Sequence, residues 1–120
     1  MSFVETDRTS IEQVIHQFTK ATSERDVNAM DYLLHEKFQT FQEVGALSKS
    51  EWISLLSDQK IGGVDEKAKV LLLHIAETSA SIKIRTSGSK GMTASFVHLT
   101  KNRFGAWQIL HILPYDRIKV

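Results

Sequence analysis

Five histidines are the side chains in this sequence best suited to chemistry near neutral pH: His16, His35, His74, His98 and His111. Imidazole titrates in that range, so it can carry a proton, orient a ligand or bind a metal. None of the five falls in an HxxxH or HxH pair, so no metal site is expected. His16 lies on the polar face of a helical pattern and reads as surface. His35 sits at a helix end, where an imidazolium complements the C-terminal dipole. His74, His98 and His111 fall inside strand-like stretches. If Lys101 pairs with Ala106, His98 lies opposite Ile109 and His111 opposite Phe96. The two histidines then share a face diagonally, together with Phe96 and Trp107. That face belongs either to a ligand pocket, where the pair could transfer protons, or to a core or subunit interface.

The other reactive types are quickly accounted for. Asp31, Glu36, Glu43 and Glu51 read as solvated or capping carboxylates. There is no cysteine, which excludes disulfides, thiolate zinc sites and cysteine nucleophiles. No G-x-S-x-G, Walker-type or dinucleotide-type glycine motif is present. Gly62–Gly63 and the Gly88 and Gly91 pair lack the helix start that a phosphate site needs. No cofactor is expected. Phe18, Phe41 and Trp52 can line an apolar cavity or simply fill the core.

Whole-chain properties narrow the function classes. The 120 residues fit one domain spanning 1–120, and 42% apolar content does not favour disorder. Fifteen basic against fourteen acidic residues leave +1, and the basic residues are scattered, so no nucleic-acid partner is expected. The longest apolar run, 70–76, is far short of the roughly 20 residues of a membrane span, so no membrane partner is expected either. Met1 to Asp7 has neither the basic nor the apolar region of a signal peptide. With no cysteine, the expected location is cytoplasmic.

Helical spacing of Ile11, Val14, Ile15, Phe18 and Thr22 predicts a helix over 9–25, with capping boxes at either Thr9 or Ser10. Asp26 caps a short second helix over 27–34, followed by a strand near 37–43 and a turn at Val44–Gly45. The Ser48-to-Glu51 capping box starts a third helix, with Leu47 and Trp52 at the positions of a hydrophobic staple. That helix runs to about residue 59, before Gly62–Gly63.

Four strands follow, near 68–77, 79–87, 92–101 and 106–114. Their turns fall near Glu77–Ser79, at 87–91 and at Asn102–Gly105. Pro114 stops the last strand or lies at its edge. The stretches 70–76 and 107–113 are apolar on both faces. One layer of helices covers only one face, so the other is expected to be covered by a second copy, making a homodimer through the outer sheet face.

This order, and two local patterns, resemble a known superfamily. The segment from Leu33 to Trp52, through a glycine turn to a capped helix, is similar to SnoaL-like and DUF4440-type members of the NTF2-like, cystatin-like α+β superfamily. The segment from Leu99 to Ile109, with its glycine turn and Trp-x-Ile ending, resembles the closing hairpin of those proteins. The resemblance implies an α+β cone: three N-terminal helices packed on a strongly curved antiparallel sheet, with a conical pocket between them. In the ketosteroid isomerase branch that pocket holds a carboxylate base, a tyrosine and a protonated acid. The corresponding positions here are Gln42, Phe18 and Val97, which supply neither a base nor oxyanion donors of that kind.

The resulting pocket candidates are Phe18, Phe41, Gln42, Trp52, His74, Val97 and His111. The expected function is binding of a small apolar or aromatic ligand by a dimer. The alternatives are a SnoaL-like enzyme using a pocket histidine and a non-catalytic dimerisation module.

Overall fold

The computed structural model describes residues 3–42, 45–88 and 91–118, and side chains within 6–41, 45–88 and 91–114. Glu43, Val44 and the tip of the 87–91 loop lie outside the described residues. The order of elements is α1 (Phe3–Glu24), α2 (Val27–Leu33), β1 (Leu34–Gln42), β2 (Gly45–Ser48), α3 (Lys49–Ser57), β3 (Glu66–Ala76), β4 (Ser79–Gly88), β5 (Gly91–Lys101) and β6 (Trp107–Ile118).

The caps that the residue types call for are present. Asp26 accepts from the Ala29 backbone N–H at the start of α2. At α3 the Ser48 hydroxyl accepts from Glu51 N–H, while the Glu51 carboxylate accepts from Ser48 N–H at 3.0 Å. The Ser48 backbone N–H, and secondarily the Ser48 hydroxyl, hold the Glu51 carboxyl below its ordinary pKa. Helix α1 begins well before the predicted Thr9 or Ser10 start. Two features support this early part: an Arg8–Glu12 i,i+4 pair, and Asp7, which is tied to the far end of the sheet.

The six strands form one sheet in the order β2-β1-β6-β5-β4-β3. The α+β arrangement of three helices against a sheet is as expected, but the sheet is mixed. β1 runs parallel to β6, and all other neighbours are antiparallel. A parallel pair needs a long crossover, which α3 and strands β3 to β5 supply. The sheet is not closed.

The core lies between the helices and one sheet face. It contains Ile11, Val14 and Ile15 of α1, Met30 and Leu33 of α2, and Leu56 of α3. The sheet contributes Phe38, Ile82, Ile84, Val97, Leu99, Trp107 and Ile109.

Two bulges decide which residues reach that face. Ile109 pairs with Leu99 and His111 with His98, so Leu110 is an extra residue in β6. Likewise Val70 pairs with Ile84 and Leu72 with Lys83, which leaves Leu71 extra in β3. A one-residue insertion reverses the alternation beyond it. Trp107 and Ile109 therefore point inward before the β6 bulge, and Ile112 after it. The doubly apolar runs at 70–76 and 107–113 are thus in part a change of parity along one inner face. Pro114 does not stop β6. It sits beyond Ile112, the last residue paired with β1.

Candidate functional site

Inside the helix-covered face, Trp52 of α3 lies between Phe18 of α1 and Phe38 of β1. Its ring stacks near Phe18 and meets Phe38 edge-on, with both centroid distances 6.4 Å. Its indole Nε1 is buried and has no hydrogen-bond partner. An unpaired buried donor costs roughly 1–3 kcal/mol, and few buried donors in folded proteins stay unpaired. Val97 is buried nearby in the same core cluster. Phe18, Trp52, Ile53 and Ile61 are half-buried at its rim. The arrangement is apolar with one free N–H donor.

The opposite face carries the histidines. His74 pairs with Ser81, Ser81 with His98, His98 with His111 and His111 with Gln39, so one transverse row holds three imidazoles. The alternation Val97/His98 and His111/Ile112 puts Val97 and Ile112 in the core and both histidines outside. The His98 and His111 rings are 6.0 Å apart, and Phe41 lies 6.2 Å from His111. Partial burial, and secondarily the neighbouring His98, hold the His111 imidazole below its ordinary pKa. Beside this row stand Phe96, paired with Leu113 and with Lys83, and Lys83 paired with Leu72. Four large apolar side chains on this face are exposed: Phe41 40%, Phe96 41%, Leu113 47% and Leu72 66%.

The structure therefore parts the predicted site residues. Phe18, Trp52 and Val97 lie on the helix side of the sheet. Phe41, His74 and His111 stand on the other side, so they do not join the conical space as expected. Alternation from the buried Thr40 and Phe38 turns Phe41 outward, and the Leu110 bulge turns His111 outward. Lys101 pairs with Trp107 and not Ala106, and the Leu110 bulge adds one more residue, so His98 and His111 are direct partners and not diagonal ones. Gln42 is placed by its backbone opposite Gly45, and its side chain lies outside the described residues.

A third cluster was not predicted. Asp7 of α1 accepts from Trp107 Nε1 at 3.2 Å and pairs with Lys101 Nζ at 3.0 Å. These bonds, led by Lys101, hold the Asp7 carboxyl below its ordinary pKa. The cluster lines an open groove of about 510 Å³ between α1, Tyr32 and the β5–β6 turn. Its partners are 94 to 100 residues apart in sequence, so no local pattern announces it. Among the described residues, no three metal-ligating side chains gather within one copy, and no helix is long and apolar enough to cross a membrane.

No family model and no curated protein matches the chain. Solved structures do. An NTF2-like protein of unknown function from Shewanella baltica is similar with a TM-score of 0.79 at 17% identity, over 99% of each chain. The chain has the NTF2-like fold. A Shewanella frigidimarina protein that carries a ketosteroid isomerase name shares this NTF2-like fold at TM-score 0.71 and 21% identity, over 88% of this chain and 94% of that one. A Novosphingobium aromaticivorans protein that carries a scytalone dehydratase name does so at 0.78 and 12%, over 94% and 85%. Identities this low establish the NTF2-like fold and leave function to the residues of the site.

Proposed function

We propose that this NTF2-like chain is a dimeric binding protein for a small apolar or aromatic molecule that carries one hydrogen-bond acceptor. The observation behind this reading is the buried, partnerless Nε1 of Trp52 between two aromatic rings. A ligand carbonyl, ether or hydroxyl oxygen accepting that bond would remove the cost of the orphan donor. The apolar rim of Phe18, Ile53 and Ile61 would take the rest of the molecule. Binding is favoured over histidine-based catalysis because His74, His98 and His111 lie on the other sheet face, away from Trp52. The positions resembling a ketosteroid isomerase base, tyrosine and acid hold Gln42, Phe18 and Val97, so that chemistry is not proposed.

The dimer reading rests on the second face. Its exposed Phe41, Leu72, Phe96 and Leu113 form an apolar field on a sheet of six strands. At about 4.8 Å between strands and roughly 30 Å of strand length, such a face offers roughly 800 Å². A standard stable interface takes about that area from each partner. Lys67, Lys69, Lys83 and Arg85 stand on the β3–β4 side of the same face, which favours a contact centred on β5, β6 and β1, where like charges meet least.

A thermal-shift series with aromatic ketones and their matched hydrocarbons tests the binding reading. The ketones are expected to stabilise the wild type more than the hydrocarbons do, and Trp52→Phe is expected to erase that difference. Ketones that stabilise Trp52→Phe as well as wild type, or that stabilise neither, would overturn it.

A further inference from the structure

The outer face holds a feature that the dimer reading does not need and does not explain. β6 and β5 are the third and fourth of the six strands, so the directly paired His98 and His111 occupy the middle of the face. In a two-fold interface each patch meets its own copy, and residues at the centre lie closest to the axis. An axis along the β5–β6 seam sets His98 of one chain over His111 of the other. Four imidazoles then share one small volume.

The spacing within one chain suits a shared ion. An imidazole nitrogen binds zinc at about 2.0–2.1 Å, which puts the ring centre roughly 3.2 Å from the metal. Two rings on one tetrahedral ion have centres about 5.2 Å apart, and opposed rings about 6.4 Å. The observed separation is 6.0 Å with the rings inclined at 61°. The pair thus closes on a tetrahedral ion by a side-chain shift of under about 1 Å. The flanking residues in the row are Ser81 and Gln39, which are neutral, so imidazole nitrogen is the available donor. Neutral imidazole suits zinc, copper and nickel over magnesium or calcium. Each chain offers two ligands, and zinc prefers four in a tetrahedron, so the set is completed only by a second copy.

We propose that His98 and His111 of two chains form a four-imidazole site for a zinc-class divalent ion at the two-fold axis of the dimer. The inference rests on the dimer proposed above and gives it a ligand-controlled strength. A site shared between chains makes assembly depend on metal concentration, because the ion binds the dimer and not the separate chains.

Sedimentation of the full chain with and without zinc, together with calorimetric titration, tests it. Zinc is expected to tighten dimerisation at least tenfold, with one ion per two chains, and a chelator to reverse the effect. His98→Asn and His111→Asn should each remove the zinc-dependent increment while circular dichroism stays unchanged. His74→Asn, two strands away in the same row, should keep it. A dimer whose dissociation constant ignores zinc, one ion bound per chain, or an increment that survives in His98→Asn would overturn the metal site and leave the dimer standing. A chain that sediments as a monomer both with and without zinc would overturn both.

Discussion

At the scale of single residues, the polar contacts that matter are few and each has a defined partner. Asp7 shows how one carboxylate can link the first helix to the last hairpin. Its two bonds, to Lys101 and Trp107, favour the ionised form and lower its pKa in the folded protein. A group depressed in this way adds stability above its unfolded pKa, and that stability fades as pH falls through the lower, folded value. Asp7→Asn is therefore expected to melt below the wild type at pH 7. The gap should narrow as the pH drops below the ordinary value of 3.8, where the unfolded chain takes up the proton first, and close as the folded carboxyl is protonated at its lower value. Thermal melts of both proteins across pH 2.5 to 7 (roughly the carboxylate range) check this, and a gap that stays constant with pH would contradict it. Trp52 makes the opposite case, since its indole donor has no partner at all. Trp52→Phe removes that unpaired donor and leaves a small cavity, two effects of opposite sign, so circular dichroism of the variant separates loss of ligand response from loss of fold.

At the scale of elements, the caps and turns were legible and the long-range joins were not. The Ser48–Glu51 box, the Asp26 cap and the Asn102–Gly105 turn are each specified by residues a few positions apart, and each is present. The strand β2 escaped because four residues between a turn and a helix show no alternation. The bulges at Leu71 and Leu110 escaped because an inserted apolar residue among apolar residues leaves no mark on the pattern. The expected pairing of His98 with Ile109 is therefore two residues away from the observed partner His111, one from the Leu110 bulge and one because Lys101 pairs with Trp107 and not Ala106. The join after α1 is a further long-range feature. Arg25 donates to the carbonyls of Ile61 and Gly62 at 3.0 Å each, and Gly63 N–H donates to Thr22 O. Gly62 has φ of +77°, and a Cβ there would run into the Thr22 carbonyl oxygen, which the helix end cannot move aside. Gly62→Ala is expected to cost at least about 2 kcal/mol from left-handed backbone strain plus the clash. Arg25→Ala should cost about 1–3 kcal/mol by leaving two carbonyls without their charged donor. Urea denaturation of both variants measures these losses. A loss below 0.5 kcal/mol (the usual scatter of surface substitutions) in Gly62→Ala would show that the turn relaxes.

At the scale of the molecule, the question is what the outer sheet face does. In the sequence the runs at 70–76 and 107–113 are apolar on both sides, and the bulges account for part of that appearance. The smaller remainder is real and localised: Phe41, Phe96 and Leu113 around the central histidine pair, with Leu72 toward the β3 edge. Isolated exposed apolar residues are normal, but several gathered on one sheet face mark a contact surface. If two copies meet there, Phe96 and Leu113 lie on the two middle strands and lose the most water. Replacing either with glutamate would bury a charge against an apolar partner surface, the kind of change that costs 2 kcal/mol or more at an interface, roughly thirtyfold in dissociation constant. Phe96→Glu and Leu113→Glu are therefore expected to shift the chain from dimer to monomer in sedimentation at micromolar concentration. Neither should unfold it, because both side chains point away from the core. A change at Phe104, which is also exposed but lies in the β5–β6 turn, should leave assembly unchanged. Dimers that persist in both glutamate variants would place the contact elsewhere. Dissociation in the Phe104→Glu variant would mean that the hairpin tip, and not the sheet face, holds the copies together.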